Sequence, residues 1–485
     1  MTINKTHQLL TLFLILTNFC LSAQNLEERI KSVENSLRPL VLNQGVELWN
    51  LEGQMQKYNI SGLSIAIIHN YEIEWAKGYG STGNEEKSKV TEQTVFQAAS
   101  MSKFVNAVAI MKLMENKKVN LDEDINNYLT SWKFPYDKNF DTTNPITIRQ
   151  LLSHTAGLST HGFGGYKNLN KLPSIIQTLE GKKPANSEKV EKIHPNNKKF
   201  KYSGGGTTIS QLILMDNSVS SYESFLNKNL FERLKMNNSF YSMEFDKYPK
   251  DLAYGHSRKG KTIKNNYNIY PESAAAGLWT TPTDLAKLII DIQLSLKFKT
   301  GKILSQQSTS ELIRPSLKNS NSALGVFTEE ENGALYLQHS GSNEGFRAKF
   351  YFSAENGNGV VIMVNGTNTK IIEEIIRSVA SVYNWVGFEN FEAKNEINLS
   401  YSDLNKYTGT YVLAKREVQV MLKKGKLILT EKGKWSSKLT PLNTSKFVVD
   451  IVKPIAIIEF ITDNDGSISK CLLKQGESTE WTKKN

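Results

Sequence analysis

Ser100-Met101-Ser102-Lys103 stands where the hydrophobic pattern of the chain changes period, and this change most limits the folds open to it. Upstream, Leu63-Ser64-Ile65-Ala66-Ile67-Ile68 alternates and is rich in β-branched residues. After a polar break at His69-Asn70, Ile73-Glu74-Trp75-Ala76 reads as the second strand of a hairpin. From Phe96 the apolar positions take helical spacing, with Val105, Val108, Ala109, Met111 and Met114 on one stripe. A long amphipathic helix is expected there, with Ser100 at its start. A serine and a lysine at i and i+3 share a helix face one turn apart, so the amine reaches the hydroxyl. The helix N-terminus adds a positive field and free N–H groups beside that serine. Burial disfavours the charged form of an amine, and a neutral amine accepts a hydroxyl proton. Four such residues also arise by chance, and for them alone an N-cap serine followed by an exposed lysine is the plainer account.

At 485 residues the chain exceeds one ordinary domain, so two units are expected. Residues 25–58 read as a helical lead-in, and a helix is expected over 147–153, ending near Gly157. The stretch 160–275 is rich in Gly, Asn and Lys and reads as loops with only short helical segments. Strands return over 334–338, 348–352 and 359–364, followed by a helix over 370–385. From about Leu399 short alternating runs recur with turn signals: 407–411, 418–421, 427–429 and 456–460. That spacing predicts an all-β appendage, either a sheet or a small barrel, after a hydrophilic linker over 391–398.

The first residues read as an export signal. Lys5 precedes the apolar run 9–16, and Leu21-Ser22-Ala23 offers a cleavage site. The run is short for a bilayer span and is followed by Glu27, Glu28 and Arg29. A periplasmic or secreted protein is expected, with residues 1–23 removed. Lipidation at Cys20 is the alternative, against which Phe19 is bulky where a lipobox takes a small residue. Without the signal, Cys471 is the remaining cysteine, so no intramolecular disulfide is expected. The net charge of +11 invites a nucleic-acid reading, but the lysines are scattered among Asn and Glu without an Arg-rich arm. A solvated basic surface accounts for them. The histidines are dispersed and form no ligand spacing, so neither a metal nor another cofactor is expected.

The segment Phe96-Gln97-Ala98-Ala99-Ser100-Met101-Ser102-Lys103-Phe104 resembles the nucleophile segment of the serine β-lactamase and penicillin-binding-protein-like superfamily. Its class C branch, with esterase, D-aminopeptidase and DD-peptidase relatives, is the nearest likeness. Further segments fall in the family's order: 146–158 with Ser153-His154-Thr155-Ala156-Gly157, then Lys201-Tyr202-Ser203-Gly204, then 274–285, then His339-Ser340-Gly341. The likeness spans residues 40–385.

The resemblance implies an α/β (α+β) sandwich: an antiparallel sheet flanked by helices, with an all-helical insertion beside the cleft. The hydrolase domain is expected over 24–390 and a small C-terminal β domain over 399–485. It implies a serine hydrolase that forms an acyl-enzyme on Ser100, with Lys103 and Tyr202 sharing a proton relay. The oxyanion hole would use the backbone N–H groups of Ser100 and Ser342. His339, Ser340, Gly341, Gly204 and Arg347 are the candidate substrate-binding positions.

Two departures from the β-lactamase pattern matter, and both are common in the esterase and D-aminopeptidase relatives. Tyr202-Ser203-Gly204 lacks the amide of Tyr-x-Asn that grips a substrate's side-chain amide. His339 replaces the permanent cation of Lys-Thr-Gly. Both favour small esters or D-amino-acid-containing peptides as substrates. A penicillin-interactive DD-carboxypeptidase or weak β-lactamase is the first alternative. A non-catalytic protein binding peptidoglycan or peptides is the second. His154 is expected in a structural role, bonding backbone near the cleft, and His161-Gly162-Phe163-Gly164-Gly165 as a loop beside it.

Overall fold

The structure, a computed structural model, describes residues 24–484 apart from 85–87, 137–143, 242–250, 319, 394–398, 415, 432–434, 450–454 and 476. The expected export signal with Cys20, and most of the expected linker, lie outside the described residues. The chain divides into two compact units, one over residues 55–372 and one from the flanking segments up to Gln54 and from Glu373. Among the described residues no helix is long and apolar enough to cross a membrane.

The 55–372 unit is built on a six-stranded antiparallel sheet. Its strands are β1 (Gly62–His69), β2 (Glu72–Gly80), β3 (Phe327–Glu331), β4 (Ala334–Asn343), β5 (Phe346–Ser353) and β6 (Gly359–Val364), in the order β2-β1-β6-β5-β4-β3. β1 and β6 pair at the interior of the sheet and are buried on both faces, which accounts for Val360-Val361-Ile362-Met363-Val364 being apolar without alternation.

Helices interrupt the strands: α1 (Ser102–Glu115), α2 (Ile148–Leu152), α3 (Gly204–Asn217) and α4 (Pro282–Phe298). α4 starts where Thr281 accepts the Asp284 N–H and Pro282 occupies the first turn. It packs on β1, β2 and β6. α2 begins with a reciprocal capping box between Thr147 and Gln150.

The structure corrects two expectations. α1 is not amphipathic: every residue from Ser102 to Met111 is buried. The sheet covers one side, with the Phe104 and Phe350 rings 5.0 Å apart. The helical region covers the other, where Asn106 Nδ2 donates to Ser210 Oγ at 2.9 Å. Its polar residues therefore serve internal hydrogen bonds rather than solvent. The stretch 160–275 also holds a long helix, α3, where only short ones were expected. Gly204-Gly205-Gly206 disguises it, since glycine is a poor helix former. Ser203 starts it, accepting the Gly206 N–H at 2.9 Å, and the helix is then buried through Leu214.

In the flanking unit, eight antiparallel strands from Gly409–Leu413 to Glu477–Lys483 close into a barrel, the first pairing with the last at Tyr411↔Lys483. Of the two forms open from the sequence, the barrel is the one formed. Closure removes both sheet edges. Tyr411, Phe447, Phe460 and Trp481 fill its interior, and Cys471 is buried among them.

Candidate active site

The segment before α1 is held by pairing on one side. Phe96 and Gln97 pair with Thr280 and Trp279, and the Ala98 N–H donates to Leu278 O at 2.9 Å. Ala99 then takes a left-handed conformation at φ 50°, costly for a residue with a Cβ and sustained only by its surroundings. This kink sets Ser100 on a single 3₁₀ turn, Ala99–Met101, directly ahead of α1. Ser102 locks the turn: its Oγ donates to Ala99 O at 2.6 Å and accepts the Leu278 N–H at 3.0 Å.

Lys103, 3% exposed, lies one turn on. Its Nζ is 3.1 Å from Ser100 Oγ and 2.6 Å from Ala275 O. The same Nζ lies 5.1 Å from the centroid of the Tyr202 ring, which adds a cation–π contact. The structure thus brings Ser100, Lys103 and Tyr202 to one cleft of about 740 Å³, which Ser340, Ser342, His339 and Asn343 of β4 also line. Such an arrangement offers a hydroxyl, an amine within proton-transfer reach of it and a phenol ring beside the amine in the same cleft.

His154 ends α2 at φ 57°. Its Nδ1 accepts the Ser203 N–H at 3.2 Å and its carbonyl accepts the Lys201 N–H at 2.8 Å, so it holds both sides of Tyr202. Its ring lies 4.2 Å from that of Tyr202. Burial, then the Lys103 charge, pushes its titration well below the usual imidazole range. His339 behaves likewise. Its Nδ1–H donates to Ser340 O at 2.7 Å, and burial followed by the Lys103 charge lowers it to about 3. At neutral pH the position is an uncharged ring.

Gly341 and Gly204 shape the walls without lining the cleft. A Cβ on Gly341 would lie 2.2 Å from Ala98 O, so only glycine lets β4 pass this close to the serine turn. Arg347, a candidate substrate-binding position, is not among the residues that line the cleft. It donates from Nη1 to Asn343 O at 2.8 Å and to Phe346 O at 2.6 Å, which fixes it on the β4–β5 turn. Sequence reasoning missed Phe200, Phe327 and Asn343 in the lining. Phe200, two residues before Tyr202, carried a usable signal, whereas Phe327 comes from a strand that no alternation revealed. It also missed Ala275, whose contribution is a carbonyl. Glu272 lies outside the lining, buried just before Ser273–Gly277, and desolvation raises its carboxyl to about 7.

A family model described as Beta-lactamase matches residues 50–383. Protein flp of Staphylococcus aureus (strain MRSA252) is 25% identical over 334 residues, 67% of this chain and 63% of the relative. The chain thus spans less than two thirds of that curated relative's length. Teichoic acid D-alanine hydrolase of Staphylococcus aureus (strain NCTC 8325 / PS 47) is 28% identical over 317 residues, 60% of this chain and 74% of the relative. The octameric penicillin-binding protein homologue from Pyrococcus abyssi shares the fold. Its TM-score is 0.60 at 22% identity, covering 89% of this chain and 99% of that one.

Proposed function

The chain belongs to the beta-lactamase family, and from that premise we propose that it is a serine hydrolase working through an acyl-enzyme on Ser100. Small esters or D-amino-acid-containing peptides are its substrates, and it acts outside the cytoplasm. The observation that carries the reading is the contact of Lys103 Nζ with Ser100 Oγ, 3.1 Å, inside the cleft shared with Tyr202.

Ser100 Oγ attacks the substrate carbonyl carbon while its proton passes to the Lys103–Tyr202 pair. The oxyanion is held by the Ser100 and Ser342 N–H groups. The proton then moves, through Lys103 and Tyr202, to the leaving alcohol or amine as the acyl bond to it breaks. Water, deprotonated by the same pair, attacks the Ser100 ester, and the acid leaves as the pair passes that proton to Ser100 Oγ. Ala275 O orients the amine throughout. The name of the Staphylococcus aureus teichoic acid D-alanine hydrolase is in keeping with a substrate that contains a D-amino acid.

Intact mass after incubation with a fluorophosphonate, and separately with a penicillin, tests the proposal. Wild type is expected to gain one fluorophosphonate adduct and Ser100→Ala none. A stable penicillin adduct as well would turn the reading toward a DD-carboxypeptidase or weak β-lactamase. Folded wild type that takes neither reagent contradicts the hydrolase and favours a binding protein.

A further inference from the structure

The Tyr202 side of the cleft is a wall of rings. Tyr202 and Phe327 lie nearly parallel, with centroids 6.4 Å apart at 21°. Phe200 meets Phe327 edge-on at 5.9 Å and 73° while leaving 42% of its surface in solvent. Phe163 covers the start of α3. A Cβ on Gly204 would come within 3.1 Å of Phe163 Cε2 and 3.2 Å of His161 O. Glycine at 204 therefore admits the aromatic ring where any side chain, a polar amide included, would press against it. An exposed Phe200 with the half-buried Phe163 and Phe327, all lining the cleft that holds Ser100, points to a ligand surface rather than to folding, since the fold gains little from leaving Phe200 wet.

The charges agree. Among the described residues lining the cleft, Lys103 is the lysine or arginine, and it is already committed to Ser100 Oγ and Ala275 O. Arg347 is tied to backbone carbonyls outside the lining. His339 is an uncharged ring at neutral pH, 5.2 Å from Phe327. A substrate carboxylate would be desolvated here without a free cation to meet it.

We propose that Phe163, Phe200 and Phe327 form a specificity wall for an uncharged aromatic group next to the scissile carbonyl. On this view, which rests on the hydrolase reading, the substrates are aromatic-acyl esters and amides that carry no carboxylate near that carbonyl. Flat rings stack or meet edge-on with such a wall, and the gain enters kcat/KM because the group stays bound in the transition state.

The test uses the full chain with ethyl phenylacetate, ethyl acetate and monoethyl succinate, which share a leaving group, with acid release followed by pH-stat. Wild type is expected to prefer phenylacetate over acetate by about ten-fold or more, with the succinate slowest. Phe200→Ala and Phe163→Ala are each expected to lower the phenylacetate-to-acetate ratio about ten-fold, and Phe200→Tyr to preserve it. Equal rates on the two esters, a preference for the succinate, or alanine variants that leave the ratio unchanged would overturn the wall. Fluorophosphonate labelling of Ser100 in the same samples would leave the hydrolase reading standing in that event. No labelling and no hydrolysis of any ester would overturn both.

Discussion

Gly341→Ala is expected to disable the enzyme through one methyl group that touches no substrate. The added Cβ would sit 2.2 Å from Ala98 O and 3.2 Å from Ala99 Cβ. Carbon and oxygen need more than 3 Å, so β4 and the serine turn must part by about 1 Å. Neither side yields easily. Ala98 is bonded to Leu278, and Gly341 pairs with Ala348 inside the sheet. Overpacking of this kind costs roughly 1–3 kcal/mol of stability. The catalytic cost is larger. Ser100 and Ser342, on opposite sides of the gap, supply the two proposed oxyanion donors, and loss of one such donor costs about 10²–10³ in kcat. A drop of about 100-fold or more in ester kcat/KM is expected, with a melting temperature lower by several degrees and slower fluorophosphonate labelling. Gly164→Ala is the control, because its added Cβ has nothing within 4 Å. A folded Gly341→Ala variant within about three-fold of wild-type activity would refute the proposed oxyanion hole.

Two predictions concern pH. Desolvation raises the Glu272 carboxyl from 4.5 to about 7, so its stabilising contribution is full below about 4.5 and is lost as pH rises through about 7. Glu272→Gln should therefore stabilise the protein at pH 8, by about 3 kcal/mol at most, with little effect at pH 5. An equal gain at both pH values in chemical denaturation would mark a packing effect instead. His339 is lowered from 6.5 to about 3, so its contribution is full above about 6.5 and is lost as pH falls toward 3. His339→Asn should flatten the acid limb of stability by about 1.4 kcal/mol per pH unit in that window, and identical limbs would contradict a buried neutral imidazole.

Where local pattern and tertiary environment agree, the chain was legible. β1 and β2 showed as a hairpin because their β-branched runs are bounded by His69-Asn70. β6 showed as a continuous apolar run, and the all-β tail by alternation. Ser100, Lys103 and Tyr202 were found through motif order, since spacing alone left an N-cap serine as the plainer account. α1 was misjudged because a helix covered on two sides hides its polar residues in internal bonds that periodicity does not register. α3 was missed because Gly204-Gly205-Gly206 opposes helix formation locally, while burial against its neighbours favours it. Arg347 is a question of direction: nothing in a sequence says that a guanidinium will turn to the carbonyls of its own hairpin. Ala275 is a still stronger case, because the carbonyl of any residue type would serve the lysine equally.

The two departures from the β-lactamase pattern, Gly204 and His339, border the same cleft. Glycine at 204 leaves the space that Phe163 approaches, and the rings of Tyr202 and Phe327 lie 6.3 and 5.2 Å from His339. Burial is the largest cause of the lowered titration of His339, and part of that burial is this aromatic neighbourhood. A lysine at 339 would meet the same rings and Lys103, so desolvation and like-charge repulsion would both act against its charged form. An imidazole escapes both penalties by staying neutral. The ring wall and the absence of a second cation are thus two faces of one physical choice. It replaces a cleft that recognises its ligand by charge with one that recognises it by apolar surface, while Ser100 and Lys103 keep the contact on which the chemistry depends.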